Sequence, residues 1–274
     1  MKKILMFTMV FLLMTGVFSG NGISQAATNN QVQVVKLGIT GDDHRIWDLV
    51  KAKLIKENID LEIISFSDYV RPNIALAEKE IDLNAFQHYV YLNKFKSDHN
   101  LKIVAIGQTI LAPMGIYSGK LKSLKDLKDG GKVAVMNDAA NEGRALNLLQ
   151  SVGLIKLRDG AGLLPTLKDI VANPKKLEII ELAAPQLPRA LPDVDLSTIN
   201  SGIAIDAKLS PLKDSLFLEK ATLESSKPYI NIIAAREEDK DNPLYKKVVR
   251  AYQSKDIKKA IQEIYQGAQI AAFK

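Results

Sequence analysis

Short apolar runs alternate with amphipathic stretches along almost the whole chain after about residue 31. Val32–Thr40 is rich in β-branched residues and predicts a strand that ends at Gly41. Asp43–Asn58 then carries apolar residues at the spacing of one helix face, and Ile59–Phe66 predicts the next strand. This alternation is typical of α/β proteins with mainly parallel sheets that are covered by helices on both faces.

The same alternation continues to the end of the chain. We expect helices over about 69–79, 88–99 and 140–152, and two closing helices, the last one capped by Ser254. Thr166 and Asp169 predict a capped helix before Asn173 and Pro174. We expect strands over Ile81–Phe86, Leu101–Tyr117 (broken near Pro113), Lys132–Met136, Leu177–Leu182, Leu196–Ile199 and Pro228–Ala235.

A chain of 274 residues is near the size at which one hydrophobic core divides into two. A crossing near Pro113 and a return near Pro228 predict a second lobe inserted into the first. We therefore expect lobe 1 to comprise residues 31–113 and 231–274, and lobe 2 to comprise residues 114–230. Ligands of such folds bind at the carboxyl ends of strands, here in the cleft between the lobes.

The first residues predict export. Lys2 and Lys3 precede the apolar run Ile4–Phe18, and Ser24-Gln25-Ala26 supplies small residues for cleavage, so residues 1–26 are read as a signal peptide. The chain has no cysteine, which excludes disulfides, thiolate metal sites and a lipid-modified cysteine. We expect an exported protein in the periplasm or at the outer face of the cytoplasmic membrane, without a lipid anchor.

Charge and motifs argue against several classes of function. The chain has 37 Lys and Arg against 31 Asp and Glu, and its densest lysine cluster, Lys120–Lys132, is interrupted by acids, so no nucleic-acid partner is expected. The three histidines form no zinc motif, and no nucleophile elbow, P-loop or dinucleotide-binding glycine motif is present. We expect no catalysis, no cofactor and no metal.

Arg144 and Asn141 are predicted to lie in the first turn of a helix that follows a strand. A guanidinium is a planar fork of donors that fits a carboxylate, and a helix start favours an anion. The alternative is a surface arginine that pairs with Glu142 or Asp138.

Aromatic side chains are concentrated around Phe86, His88 and Tyr91, and Tyr69 is predicted to reach the same strand ends. Such rings can enclose an apolar or thioether side chain. The alternative is ordinary core packing, with His88 as a hydrogen-bonded structural residue. Asn200 and Asn231 end or interrupt apolar strands, so their amides need partners if they are buried; edge or turn positions are the alternative.

These segments together resemble the methionine-binding proteins of ABC importers, the MetQ/NlpA group. The resemblance covers essentially the whole chain after the predicted signal. It is carried by Arg71–Leu76, Ile81–His88, Pro113–Ser118, Asn137–Leu146, Ile170–Lys175 and Pro228–Asn231.

The resemblance implies a type-II periplasmic-binding-protein fold that closes on a free amino acid, above all L-methionine, and delivers it to ABC permease and ATPase subunits. It implies that four residues surround the ligand side chain, namely Tyr69, Phe86, His88 and Tyr91. It implies that Arg144 binds the carboxylate, and that the main-chain polar groups are bound by Asn141, Asn200 and Asn231. A Met-containing dipeptide or another apolar amino acid is the alternative ligand. An exported enzyme with His88 as base is a remote alternative.

Overall fold

The computed structural model describes residues 31–224 and 226–274, so the predicted signal peptide at 1–26 lies outside the described residues. The strands are, in chain order, β1 (Gln33–Thr40), β2 (Ile59–Phe66), β3 (Leu83–Asn84), β4 (Ile103–Leu111), β5 (Met114–Tyr117), β6 (Lys132–Met136), β7 (Lys156–Leu157), β8 (Ile170–Ala172), β9 (Glu178–Leu182), β10 (Leu196–Asn200), β11 (Ser215–Leu218), β12 (Ile230–Arg236) and β13 (Ile270–Ala271).

The helices each bury one face against a sheet or a neighbouring helix. They are α1 (Arg45–Leu54), α2 (Arg71–Ala77), α3 (Tyr89–Asp98), α4 (Ala139–Ser151), α5 (Ser201–Asp206), α6 (Pro243–Tyr252) and α7 (Lys255–Tyr265). In α7 the buried residues Ile257, Ile261 and Tyr265 recur every four positions, which is the spacing of one helix face. Over residues 31–224 and 226–274, every helix is too short or too polar to cross a membrane.

The first sheet has the strand order β13-β4-β12-β3-β1-β2, and it defines lobe 1. Strand β1 lies beside both β2 and β3 in parallel, while β12 pairs with β4 in antiparallel fashion. One face of this sheet packs against α1, α6 and α7 through a core that includes Trp47, Val50, Val248 and Ile261.

The second sheet has the strand order β11-β5-β10-β6-β9, and it defines lobe 2. Strand β6 pairs in parallel with β9 and β10, whereas β5 pairs in antiparallel fashion with β10 and β11. Helix α4 covers this sheet, and its residues Leu146 and Leu149 are fully buried in the lobe 2 core. The chain therefore passes from one sheet to the other between β4 and β5 and returns between β11 and β12.

The predicted α/β class with two lobes is confirmed, but both sheets are mixed rather than mainly parallel. The reason lies in how the chain enters each sheet. Strand β5 follows β4 almost directly, and β12 follows a loop and a single 3-10 turn at Lys227–Tyr229, so neither is reached through the α-helical crossover that parallel neighbours need. Parallel pairing is kept where a helix connects the strands, as in β1-α1-β2.

Two local predictions were wrong in detail. The Asp169 carboxylate does accept from the Thr166 amide at 2.8 Å, but this cap opens a single 3-10 turn at Leu167–Asp169 that leads into β8, not a helix. Ser254 stands at the N-cap position of α7, yet its hydroxyl donates to the Ala251 carbonyl at 2.7 Å instead of capping the helix. The Ser254 hydroxyl bonds a carbonyl of the preceding helix in preference to the open N–H groups at the start of α7.

Candidate functional site

A cavity of about 120 Å³ lies where the ends of β1 and β10 face each other across the two lobes. Its lining includes every residue that the sequence singled out, namely Tyr69, Phe86, His88, Tyr91, Asn141, Arg144, Asn200 and Asn231. An engineered cavity of about 150 Å³ holds a benzene molecule. The cavity is therefore of a size for one small molecule.

Three aromatic rings form the apolar end of the cavity. The ring centroids of Tyr69, Phe86 and Tyr91 are mutually 5.7 to 6.0 Å apart, with edge-to-face or tilted geometry. The Tyr91 hydroxyl donates to the Tyr69 backbone carbonyl at 2.8 Å and so fixes the Tyr91 ring. The rings pack on each other and also line the cavity, which suits an apolar or thioether group.

The turn that carries Phe86 and His88 is held by a network of buried side-chain amides. Asn73 and Gln87 exchange two hydrogen bonds, at 2.9 and 2.6 Å. Asn84 donates to Asn73 at 2.9 Å and accepts from Gln87 at 2.9 Å. A fully satisfied buried network of this kind specifies one backbone geometry. Sequence reasoning did not find this network, although three amides within apolar segments were its signal.

His88 is the N-cap of α3 and is 4% exposed. Its Nδ1 accepts from the Tyr91 amide at 3.1 Å, so the neutral ring carries its proton on Nε2, which lies 3.4 Å from Asn141 Oδ1. Burial, and then the nearby guanidinium of Arg144, lower the pKa of His88 to about 3. The residue is thus a neutral hydrogen-bond donor that joins the two lobes.

Arg144 is 3% exposed and forms a buried ion pair with Glu219. Its Nε and Nη2 donate to the two carboxylate oxygens at 3.2 and 2.5 Å, and Nη2 also donates to the Ala112 carbonyl at 3.0 Å. The guanidinium lies 4.4 Å from the centre of the Tyr229 ring. Among the described residues, no hydrogen-bond acceptor is recorded for Nη1.

The pairing of Arg144 with Glu142 or Asp138, considered from the sequence, does not occur. Glu142 accepts from the Leu167 amide, and Asp138 caps α4. The actual partner, Glu219, was missed because it lies 75 positions further along the chain.

A chain of amides crosses the polar end of the cavity. Asn141 Nδ2 donates to both oxygens of Asp138 at 3.0 Å, and Asn141 Oδ1 accepts from Asn200 Nδ2 at 2.9 Å. Asn200 Oδ1 is buried and has no hydrogen-bond partner among the described residues. A buried acceptor without a partner is costly, so it marks a place for a donor from a ligand.

Asn231 lies at the second position of β12 and lines the same cavity. Its backbone forms an isolated antiparallel bridge with His88. This bridge places the Asn231 side chain beside the turn that carries the aromatic cluster. Lobe 1 therefore contributes β12 to the site, in addition to the turn after β3.

The two lobes touch at the far end of the cavity. The Asp42 amide donates to Asp206 Oδ1 at 3.2 Å, and a β-carbon added at Gly41 would lie 1.7 Å from Asp206 Oδ2. Gly41 also has a φ of +77°, which favours glycine. Asp206 ends α5 of lobe 2, so this contact closes the cleft against the loop after β1.

The sequence matches the family model described as NlpA lipoprotein over residues 35–273. One relative, the D-methionine-binding lipoprotein MetQ of Escherichia coli strain K12, is 46% identical over 243 residues, which are 87% of this chain and 88% of the relative.

Solved structures of similar proteins have the same fold. A nutrient-binding protein from Burkholderia cenocepacia, solved bound to methionine, has a TM-score of 0.83 and 47% identity, and the match covers 87% of this chain and all of that one. The substrate-binding protein of a methionine transporter from Streptococcus pneumoniae has a TM-score of 0.82 and 40% identity, and covers 87% and 95% of the two chains.

Proposed function

This chain belongs to the NlpA lipoprotein family, and we propose that it is the extracytoplasmic substrate-binding protein of an ABC importer for methionine. It binds the free amino acid between its lobes and delivers it to the permease, and the ATPase subunits drive import. Its role is binding, without catalysis.

One observation carries this proposal: a donor and an acceptor that both lack a partner among the described residues line the same small cavity. Arg144 Nη1 would bind the ligand carboxylate, and Asn200 Oδ1 would accept from the ammonium group, with Asn231 beside it. A free amino acid carries both groups on one carbon, so it satisfies both residues together. Asn141 supports this end by orienting the Asn200 amide.

The aromatic end of the cavity would then hold the ligand side chain. Tyr69, Phe86 and Tyr91 surround it, and His88 Nε2 lies at the boundary between the apolar and polar ends. Burying a methionine side chain contributes about 1.5–3 kcal/mol, and each sulfur–ring contact adds about 0.3–1.5 kcal/mol. The small volume favours a single amino acid over a dipeptide.

We also propose the domain boundaries and the location of the protein. Residues 1–26 are a signal peptide, residues 31–113 and 231–274 form lobe 1, and residues 114–230 form lobe 2. The position of Pro113 between β4 and β5, which belong to different sheets, supports the first boundary. The protein acts in the periplasm or at the outer face of the cytoplasmic membrane, where the permease receives its ligand.

Isothermal titration calorimetry tests the proposal with protein that has been unfolded, dialysed free of ligand and refolded. We expect saturable 1:1 binding of methionine with a micromolar or lower Kd, which corresponds to about −8 kcal/mol or better. Both enantiomers are titrated, because the Escherichia coli relative is named for D-methionine. Glycyl-methionine and leucine test the alternative ligands.

Phe86→Ala should weaken methionine binding by at least tenfold, because it removes one wall of the apolar end. Phe217→Ala, which alters a ring of lobe 2 that does not line the cavity, is the control and should leave binding unchanged. A folded, ligand-free protein that gives no heat with either enantiomer would reject methionine as the ligand.

A further inference from the structure

Glu219 removes the charge excess that Arg144 would otherwise give to the cleft. Two nitrogens of the guanidinium are bonded to this carboxylate, whose side chain is 18% exposed. A charged pair at such distances acts on more distant groups as a dipole instead of as a free cation. A ligand carboxylate must therefore share Arg144 with an anion that is already bound.

The other titratable groups that the described part of the chain places around this end of the cleft add no positive charge. His88 is neutral at physiological pH. Asp138 lies behind Asn141 and accepts from its backbone and side-chain nitrogens, which stabilises the carboxylate form, although burial raises the pKa of Asp138. The charge of the polar end is thus zero or negative.

Glu219 is also held in place by the backbone of β5. Its Oε2 accepts from the Met114 amide at 3.0 Å, and its own amide donates to the Met114 carbonyl at 2.9 Å. The carboxylate therefore cannot rotate away from Arg144 without breaking several hydrogen bonds. Its effect on the charge of the cleft is a fixed property of the fold.

We propose that Glu219 determines specificity: by neutralising Arg144, it makes the cleft select zwitterionic amino acids over the same carboxylic acid without its amino group. This inference rests on the proposed function and concerns the same site. A carboxylate alone brings a negative charge into a buried site that has no positive excess, and its desolvation is poorly compensated. A zwitterion brings no net charge, and its ammonium group meets Asn200 Oδ1.

The test compares L-methionine with 4-(methylthio)butanoate, which lacks only the amino group, in wild-type protein and in Glu219→Gln. The measured quantity is the ratio of the two dissociation constants, obtained by calorimetry and by competition. In Glu219→Gln we expect the preference for methionine to fall by at least about tenfold, which corresponds to about 1.4 kcal/mol. Glu224→Gln is the matched control, because it changes the same charge at an exposed position of the same segment, and its ratio should be unchanged.

A purely structural role for Glu219 predicts a different result. Both ligands would then weaken by the same factor in Glu219→Gln, the ratio would stay constant, and the inference would be overturned. If the wild-type protein binds neither enantiomer of methionine nor the des-amino acid, the proposed function itself has failed.

A second comparison needs no variant and remains decisive if Glu219→Gln does not fold. Methioninamide keeps the ammonium group and lacks the carboxylate. In the wild-type protein it should bind at least as tightly as 4-(methylthio)butanoate, because the cleft has no positive excess. Tighter binding of the des-amino acid would show that the Arg144 charge dominates and would refute the inference.

Discussion

His88 should make the ligand-free protein less stable on acidification. Its ring is buried and neutral in the folded state, where its pKa is lowered to about 3. In the unfolded chain the ring returns to the ordinary pKa of about 6.5. Below pH 6.5 the unfolded state therefore binds a proton that the folded state does not, and stability falls as pH falls towards 3.

The loss of stability at pH 5 is set by protonation of His88 in the unfolded chain, since the ring is still neutral in the folded protein at that pH. A span of about 1.5 pH units at about 1.36 kcal/mol per unit gives about 2 kcal/mol. The variant His88→Asn removes this proton while it keeps a side-chain acceptor at the N-cap position of α3. The free energy of unfolding of the wild type should thus fall, between pH 7.5 and pH 5, by about 2 kcal/mol more than that of His88→Asn.

Urea denaturation measures this difference, and the fluorescence of the single tryptophan, Trp47, which packs against Tyr252 in lobe 1, reports unfolding. Comparing the two proteins cancels the contribution of the carboxyl groups to the pH dependence, because both proteins contain the same carboxyl groups. His44→Asn, at an exposed position, is the control and should keep the wild-type pH dependence. Equal losses of stability in the wild type and in His88→Asn would refute the reasoning.

Urea denaturation of two further variants tests one close backbone contact and one set of buried hydrogen bonds. Gly143→Ala should destabilise the protein by about 1–3 kcal/mol, because its β-carbon would lie 2.6 Å from the Leu163 carbonyl oxygen and 2.9 Å from Leu164 Cα; Gly202→Ala, which meets no atom within 4 Å, should not destabilise it, and equal effects would contradict this account. Arg236→Met should lower the free energy of unfolding by about 3–5 kcal/mol, because the Asp239 carboxylate and two backbone carbonyls lose their donor. A decrease below about 1 kcal/mol would show that water replaces these bonds.

Elements with a strong local pattern could be predicted from the sequence. Lys132–Met136 forms a strand with the predicted bounds, and the helix expected over about 140–152 is α4. Helix α3 follows His88 as expected, since the N-cap and the apolar face are both encoded within one turn. For these elements, side-chain periodicity and capping act within a few residues of the chain.

Elements that depend on distant partners could not be predicted in the same way. The short strands β7 and β8 form a separate two-stranded sheet, and β13 consists of two residues added to the edge beside β4. The Arg144–Glu219 pair joins α4 to the segment after β11, for which the sequence offers no periodic pattern. An acidic residue directly after the apolar run Leu216-Phe217-Leu218 was the one local signal for it.

The predicted site residues share one cavity because most of them follow the ends of strands. Phe86 and His88 follow β3, Asn141 and Arg144 follow β6, and Asn200 ends β10. The carboxyl ends of these strands meet at the cleft, so their positions could be inferred without knowledge of the turns. The amides behind the turn, Asn73 and Gln87, were missed because their partners are set by tertiary packing.

The contact between Gly41 and Asp206 also has a kinetic consequence. The loop after β1 rests on the end of α5 beside the cavity, so the two lobes cannot part without breaking this contact. The rate at which a captured amino acid leaves then depends on how often this interlobe contact breaks, as well as on the bonds to the ligand itself. A permease that separates these two segments on docking would therefore accelerate release of the ligand.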